Sequence, residues 1–178
     1  MTEKELIQGC ASGNRNCQQV IFRRYAGKML ALSLRYARHQ MEAEDIVQEA
    51  FIRVFDHIHT FEFRGSFEGW IKRIVINIAL KNFSRKSFSQ EEIGIDQDFD
   101  APVEAPADLL MGAQEILDLV NELPDGYKIV FNLYAIEGYS HKEIAEMIGI
   151  QESTSRSQLV KARKMLQQKL ARLQKIAV

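Results

Sequence analysis

The stretch from His141 to Leu170, HKEIAEMIGIQESTSRSQLVKARKMLQQKL, constrains this chain more tightly than any other. Ser140 is placed to cap a short helix, and Glu143, three residues on, completes a capping box. Ile144, Ala145 and Ile148 give that helix one apolar face, and Gly149 supplies a residue that tolerates positive φ. A second helix carries Leu159, Ala162, Leu166, Leu170 and Leu173 on one stripe at helical spacing. Ser157, Lys161, Lys164 and Gln168 fall on its opposite face, with Arg156 and Arg163 on the flanks. Two helices joined by a Gly turn, the second one basic, describe a helix-turn-helix able to enter a major groove. An ordinary αα-hairpin with a solvated basic face fits the same residues and stays open here.

Composition narrows the classes. The chain has 178 residues, enough for one ordinary domain or two small ones. Only 3 prolines and 10 glycines interrupt it, which favours long helices. No apolar run reaches the ~18 residues of a membrane span. The start, MTEKELIQGC, lacks the basic and apolar regions of a signal peptide, so a cytoplasmic protein is expected. Cys10 and Cys17 read as packed, free thiols, and the four histidines (His39, His57, His59 and His141) show no metal-ligand spacing. No phosphate-binding glycine loop and no nucleophile elbow appears. Neither an enzyme nor a cofactor-binding protein is expected.

The net charge of −1 hides a segregation. Residues 60–86 carry Arg64, Lys72, Arg73, Lys81, Arg85 and Lys86 against Glu62 and Glu68, and residues 140–178 carry eight Lys or Arg against three Glu. Residues 87–125 between them contain no Lys or Arg and eleven acids. Two basic patches across an acidic bridge suggest two places where nucleic acid is touched.

Taken in order, Thr2 and Glu5 box a first helix to about Ser12, and Gly13-Asn14 breaks it. A long helix is expected from about Asn16 to His39, burying Val20, Ile21, Tyr25, Met29, Leu32 and Tyr36. A third, Ala43 to about Ile58, turns Ile46, Val47, Ala50, Phe51, Val54 and Ile58 inward. Its outer face holds Asp45, Gln48, Glu49, Ile52, Arg53 and Asp56, either simply solvated or a partner surface. Next, Phe61, Phe63, Phe67 and Trp70 crowd around Arg64-Gly65-Ser66. Phe67 and Trp70 read as core, continuing into Ile71, Ile74 and Ile78. Phe61 and Phe63 are better placed to reach outward, where aromatics beside cations offer a single-stranded base a stacking surface worth ~1–3 kcal/mol. Residues 87–108 have no apolar period and hold Pro102 and Pro106, as a linker does. A helix from about Leu109 to Glu122 follows, then one opened by Pro124 with Val130, Phe131, Leu133 and Tyr134 on its apolar side.

Three segments now carry a family resemblance: EAEDIVQEAFIRVF (42–55), FRGSFEGWIKRIVIN (63–77) and LPDGYKIVFNLYAIEGYSHKEIAEMIGIQESTSRSQLVKARKML (123–166). In that order, split by an acidic linker, they resemble the extracytoplasmic-function sigma factors, the small two-domain class of bacterial transcription initiation factors. The likeness spans nearly the whole chain. It implies an all-α protein of two small helical domains, 1–86 and 109–178, joined by a flexible acidic linker, 87–108. It implies a factor that binds core RNA polymerase through the β′ clamp and β flap, directs it to promoters and helps melt them. By resemblance Asp45, Gln48, Glu49, Ile52 and Arg53 would face the clamp. Phe61, Phe63, Arg64, Gly65, Ser66, Arg73, Asn77, Lys81, Asn82 and Arg85 would meet the minus-10 element as single-stranded DNA. Thr154, Ser155, Arg156, Ser157, Lys161, Arg163 and Lys164 would meet the minus-35 duplex. An anti-sigma factor is a further partner the resemblance admits, and membrane insertion is not implied. Lys81 departs from the Asp or Asn common there. Gln151 replaces a usual Ser or Thr cap, at a typical cost of ~0.5–2 kcal/mol. The rival reading, a stand-alone helix-turn-helix regulator, accounts for residues 123–173 and leaves 42–77 as core.

Overall fold

The computed structural model describes residues 1–87 and 113–176, and the chain divides into two compact units, Met1–Ser89 and Gln90–Val178. Every regular element among the described residues is helical. The expected linker, apart from Ser87, and the expected helical start at Leu109 lie outside the described residues.

The first unit opens with α1 (Glu3–Ala11), whose Thr2–Glu5 capping box forms as expected. Gly13 takes φ 78°, open only at low cost to glycine, and Asn14 caps α2 (Arg15–Leu34) with its side-chain oxygen. Ile21, Tyr25, Met29 and Leu32 form the buried stripe of α2, whereas Val20 is exposed: it stands one residue, about 100°, off the stripe. The helix ends at Leu34 rather than His39. The amides of Arg35, Tyr36 and Ala37 turn back onto Leu32 and Ser33, and His39 becomes the cap of α3 (Gln40–His57), its Nδ1 accepting the Glu42 amide at 3.1 Å. That cap moves the start of the third helix three residues earlier than expected. Its inner face, Ile46, Val47, Ala50, Phe51 and Val54, is buried as read. A 3₁₀ turn, Ile58–Thr60, then leads through the 61–66 loop to α4 (Phe67–Ser87).

Cys10 and Cys17 are buried, free thiols where α1 meets α2, and a Cβ at Gly9 would collide with Cys17 Sγ. Burial, with Cys17 adjacent, pushes the Cys10 thiol up to about 11. Such thiols are packing, not chemistry.

The second unit contains α5 (Ala113–Asn121), α6 (Asp125–Phe131), a π turn over Asn132–Ile136, α7 (His141–Ile148) and α8 (Glu152–Ile176). The π turn is where the single expected helix after Pro124 widens: the Glu137 amide reaches back to the Asn132 carbonyl. Asn132 and Lys128 are buried there, an outcome polar side chains do not announce in a sequence. Ser140 and Glu143 form the capping box of α7, and Gly149 sits at φ 72° between the two helices, as its position demanded. Leu159, Ala162 and Leu166 are buried, Ala162 and Leu166 packing with Leu119, Val120 and Leu123, and Leu170 is partly covered. Leu173, expected on the same stripe, is exposed.

Candidate nucleic-acid interface

On α3 the outward residues are held together by their own spacing. Asp45 and Gln48 are exposed, Ile52 is 62% exposed, and Arg53 bonds Glu49 at 2.6 Å one turn away. All five expected partner residues therefore share one accessible face. Beside it Phe22, Leu30, Val47 and Gln48 help line an open groove of about 280 Å³ between α2 and α3. The exposed Phe22 packs edge-on against Phe51, ring centres 4.8 Å apart. Sequence reasoning passed over Phe22, although an aromatic directly after the buried Ile21 is off the inward stripe, and that was the available signal.

The loop before α4 separates the two phenylalanines that were expected to reach outward. Phe61 does not: it is 8% exposed, wedged against Phe67 at 5.1 Å and Trp70 at 5.6 Å. The 3₁₀ turn aims it inward, where an apolar ring gains the most from burial. Phe63 does reach outward, at 46% exposure. Its φ of 59° is the only positive value among the described non-glycine residues. Arg64 is exposed and pairs with Glu62 at 3.3 Å, and Gly65 takes φ 88°. Ser66 caps α4 by accepting the Gly69 amide at 3.0 Å. Trp70, read as core, is only half-buried and stacks on Phe67.

Along α4, Arg73, Asn77 and Lys81 are exposed one turn apart, Asn82 is half-buried, and the side chain of Arg85 lies outside the described residues. Glu68 interrupts this basic surface, bonded by Lys28 of α2 at 2.7 Å and facing Lys72 at 3.6 Å. The Lys28 hydrogen bond, and behind it the charges of Lys28 and Lys72, hold its carboxyl below the usual range although partial burial opposes them.

On α8 the expected set also divides. Ser155 is fully buried, its Oγ 2.9 Å from His141 Nδ1, so it cannot touch a duplex: a serine flanking the inward Leu159 turn has been drawn into the packing. Arg156 and Ser157 are exposed, Arg156 paired with Glu152 one turn earlier. Thr154 is half-buried, and its carbonyl accepts from Ser157 Oγ at 3.0 Å. Lys161 and Lys164 are half-exposed, while Arg163 is exposed and lies 5.9 Å over the ring of Tyr134. Val160 was missed. It is 60% exposed in the middle of this polar face, and an apolar residue at an outward helical position was the signal.

Two family descriptions match this chain: Sigma-70 region 2 over residues 21–88 and Sigma-70 region 4 over residues 113–166. With the helical fold they define a sigma-70-type factor built of those two regions. The ECF RNA polymerase sigma-E factor of Haemophilus influenzae is 26% identical over 183 residues, spanning 96% of both chains. The ECF RNA polymerase sigma factor SigE of Mycolicibacterium smegmatis is 32% identical over 159 residues, covering 85% of this chain and 61% of its own. Among solved structures, CnrH in complex with the cytosolic domain of CnrY has a TM-score of 0.52 at 19% identity, covering 95% of this chain and 97% of that one. The sigma factor RpoE of Bartonella quintana, in complex with the anti-sigma factor NepR, has 0.53 at 18%, covering 86% and 96%. These two share the fold. The chain belongs to the extracytoplasmic-function sigma factors. It is therefore a transcription initiation factor, one that binds RNA polymerase and promoter DNA. No helix among the described residues is long and apolar enough to cross a membrane.

Proposed function

We propose that this factor divides promoter recognition among three surfaces of two helical domains, 1–86 and 109–178. Asp45, Gln48, Glu49, Ile52 and Arg53 on α3 dock on the clamp of the polymerase β′ subunit, with the Phe22 groove beside them as the apolar part of the contact. The 61–66 loop and the Arg73–Asn77–Lys81 stripe meet the minus-10 element as a single strand. Unstacking a base costs a few kcal/mol, and stacking on Phe63 with phosphate contacts offsets that cost only once the base is out. Phe61 serves this surface from beneath, as packing. The outward face of α8 reads the minus-35 duplex: Arg156 and Ser157 meet base edges, Val160 a thymine methyl, and Lys161, Arg163 and Lys164 phosphates.

The acidic residues of the 87–108 linker are drawn to the basic path that polymerase offers its transcript, and the second domain meets the β flap. An anti-sigma factor restrains the protein in the cytoplasm, as NepR accompanies the Bartonella quintana factor. The factor itself makes and breaks no bonds.

The observation that carries this reading is exposure. Asp45 on α3, Arg73 and Lys81 on α4, and Arg156 and Arg163 on α8 are exposed on helices whose other faces are core. Holoenzyme reconstituted with core polymerase, and sequencing of the DNA it retains, test it. Arg156→Ala is expected to relax preference at one or two base pairs, by ~1–3 kcal/mol each. Lys164→Ala is expected to weaken all sequences alike and lower the salt slope by about one. Equal effects of both on specific and scrambled duplexes would reduce α8 to a general cation patch.

A further inference from the structure

Phe63 holds a conformation that a bulky residue avoids. At φ 59° its Cβ crowds the carbonyl, a strain that persists only where neighbours impose it. Two neighbours do. The Phe61 ring centre lies 5.1 Å from that of Phe63, tilted against it. Lys4 of α1 places its ammonium 5.8 Å from the Phe63 ring centre, within cation–π range. Lys4 is exposed, and among the described residues no carboxylate pairs with it. Arg64, the nearest cation in the loop sequence, is instead engaged by Glu62. The approach is built into the fold, because Leu6 and Ile7 are buried and α1 packs on the 3₁₀ turn that leads into the loop.

We propose that Lys4 is a positioning residue of the single-strand surface: it holds the Phe63 ring in its strained, outward pose and adds a positive charge beside the base that stacks there. The first helix thereby becomes part of promoter opening. This rests on the reading of the 61–66 loop as the single-strand contact.

The test uses full-length protein reconstituted with core polymerase. Its affinity is measured for a duplex carrying an unpaired thymidine tract and for the same duplex fully paired. The ratio of the two affinities reports stacking, which a merely structural change would leave alone. Lys4→Gln is expected to lower that ratio about threefold, the size of an exposed cation–π contact. Lys4→Arg is expected to restore it, and far-UV circular dichroism to stay unchanged in both. Phe63→Leu is expected to lower the ratio as well, and adding Lys4→Gln to it to change little more. An unchanged ratio in Lys4→Gln with a loss in Phe63→Leu would overturn the role of Lys4 and leave the loop reading intact. Fully additive losses would overturn the coupling, and no loss in either variant would remove the loop reading itself.

Discussion

His141 stacks on Tyr134, ring centres 4.4 Å apart, and its Nδ1 meets Ser155 Oγ at 2.9 Å, so one imidazole ties the π turn to the root of α8. Burial holds its pKa below 6.5, and the charges of Arg156 and Arg163 act in the same sense while Glu152 opposes them. The unfolded chain therefore takes up this proton at a higher pH than the folded one. The stability due to neutral His141 is complete above about pH 6.5, falls as pH drops below it, and is lost by the folded pKa. Urea unfolding followed by circular dichroism across that range is expected to show this slope, and His141→Gln to flatten it. Ser155→Ala removes the partner of the part-buried His141 Nδ1 and is expected to cost ~0.5–1.5 kcal/mol in the same experiment. A stability loss below about 0.5 kcal/mol would mean that the Ser155–His141 contact contributes little to the fold.

At the scale of the element, α3 shows how little a recognition face contributes to stability. Its inward residues, Ile46, Val47, Ala50, Phe51 and Val54, are core, while among its outward ones Arg53 pairs with Glu49 and Ile52 is exposed. Reversing Asp45 and Glu49 to Lys gives up the exposed Glu49–Arg53 pair, worth ~0.3–0.5 kcal/mol. Helical content is therefore expected to stay unchanged. Association with core polymerase is expected to be abolished, because like charges then face the partner. Gel filtration of the double variant mixed with core polymerase checks both statements. Normal co-elution would remove α3 from the clamp contact.

At the scale of the whole molecule, charge is distributed by segment. The two basic stretches belong to different compact units, and the seven carboxylates of residues 87–108 fall between them with no Lys or Arg. Replacing Glu91, Glu92, Asp96, Asp98, Asp100, Glu104 and Asp108 by Gln or Asn is expected to weaken holoenzyme formation. The effect should be larger at low salt than at high salt, where screening has already removed the attraction. The ratio of abortive to full-length RNA is expected to fall with it. Affinity and abortive ratio both unchanged at low salt would leave the segment a passive tether.

What the sequence by itself determined is whatever rests on local rules. The two capping boxes, the glycine at φ 72°, the inward stripe of α3 and the segregation of charge follow from residues three or four apart, or from a count. The three motifs in order carried the family. Tertiary structure decided what depends on a neighbour distant in the chain. Phe61 and Phe63 are equivalent in any hydropathy pattern, yet one is sealed under Trp70 and the other strained outward beside Lys4. Ser155 and Ser157 are as alike, and His141, fourteen residues away, takes only the first. Which side of a loop or helix is covered is set by what packs against it, and no periodicity within the segment encodes that partner.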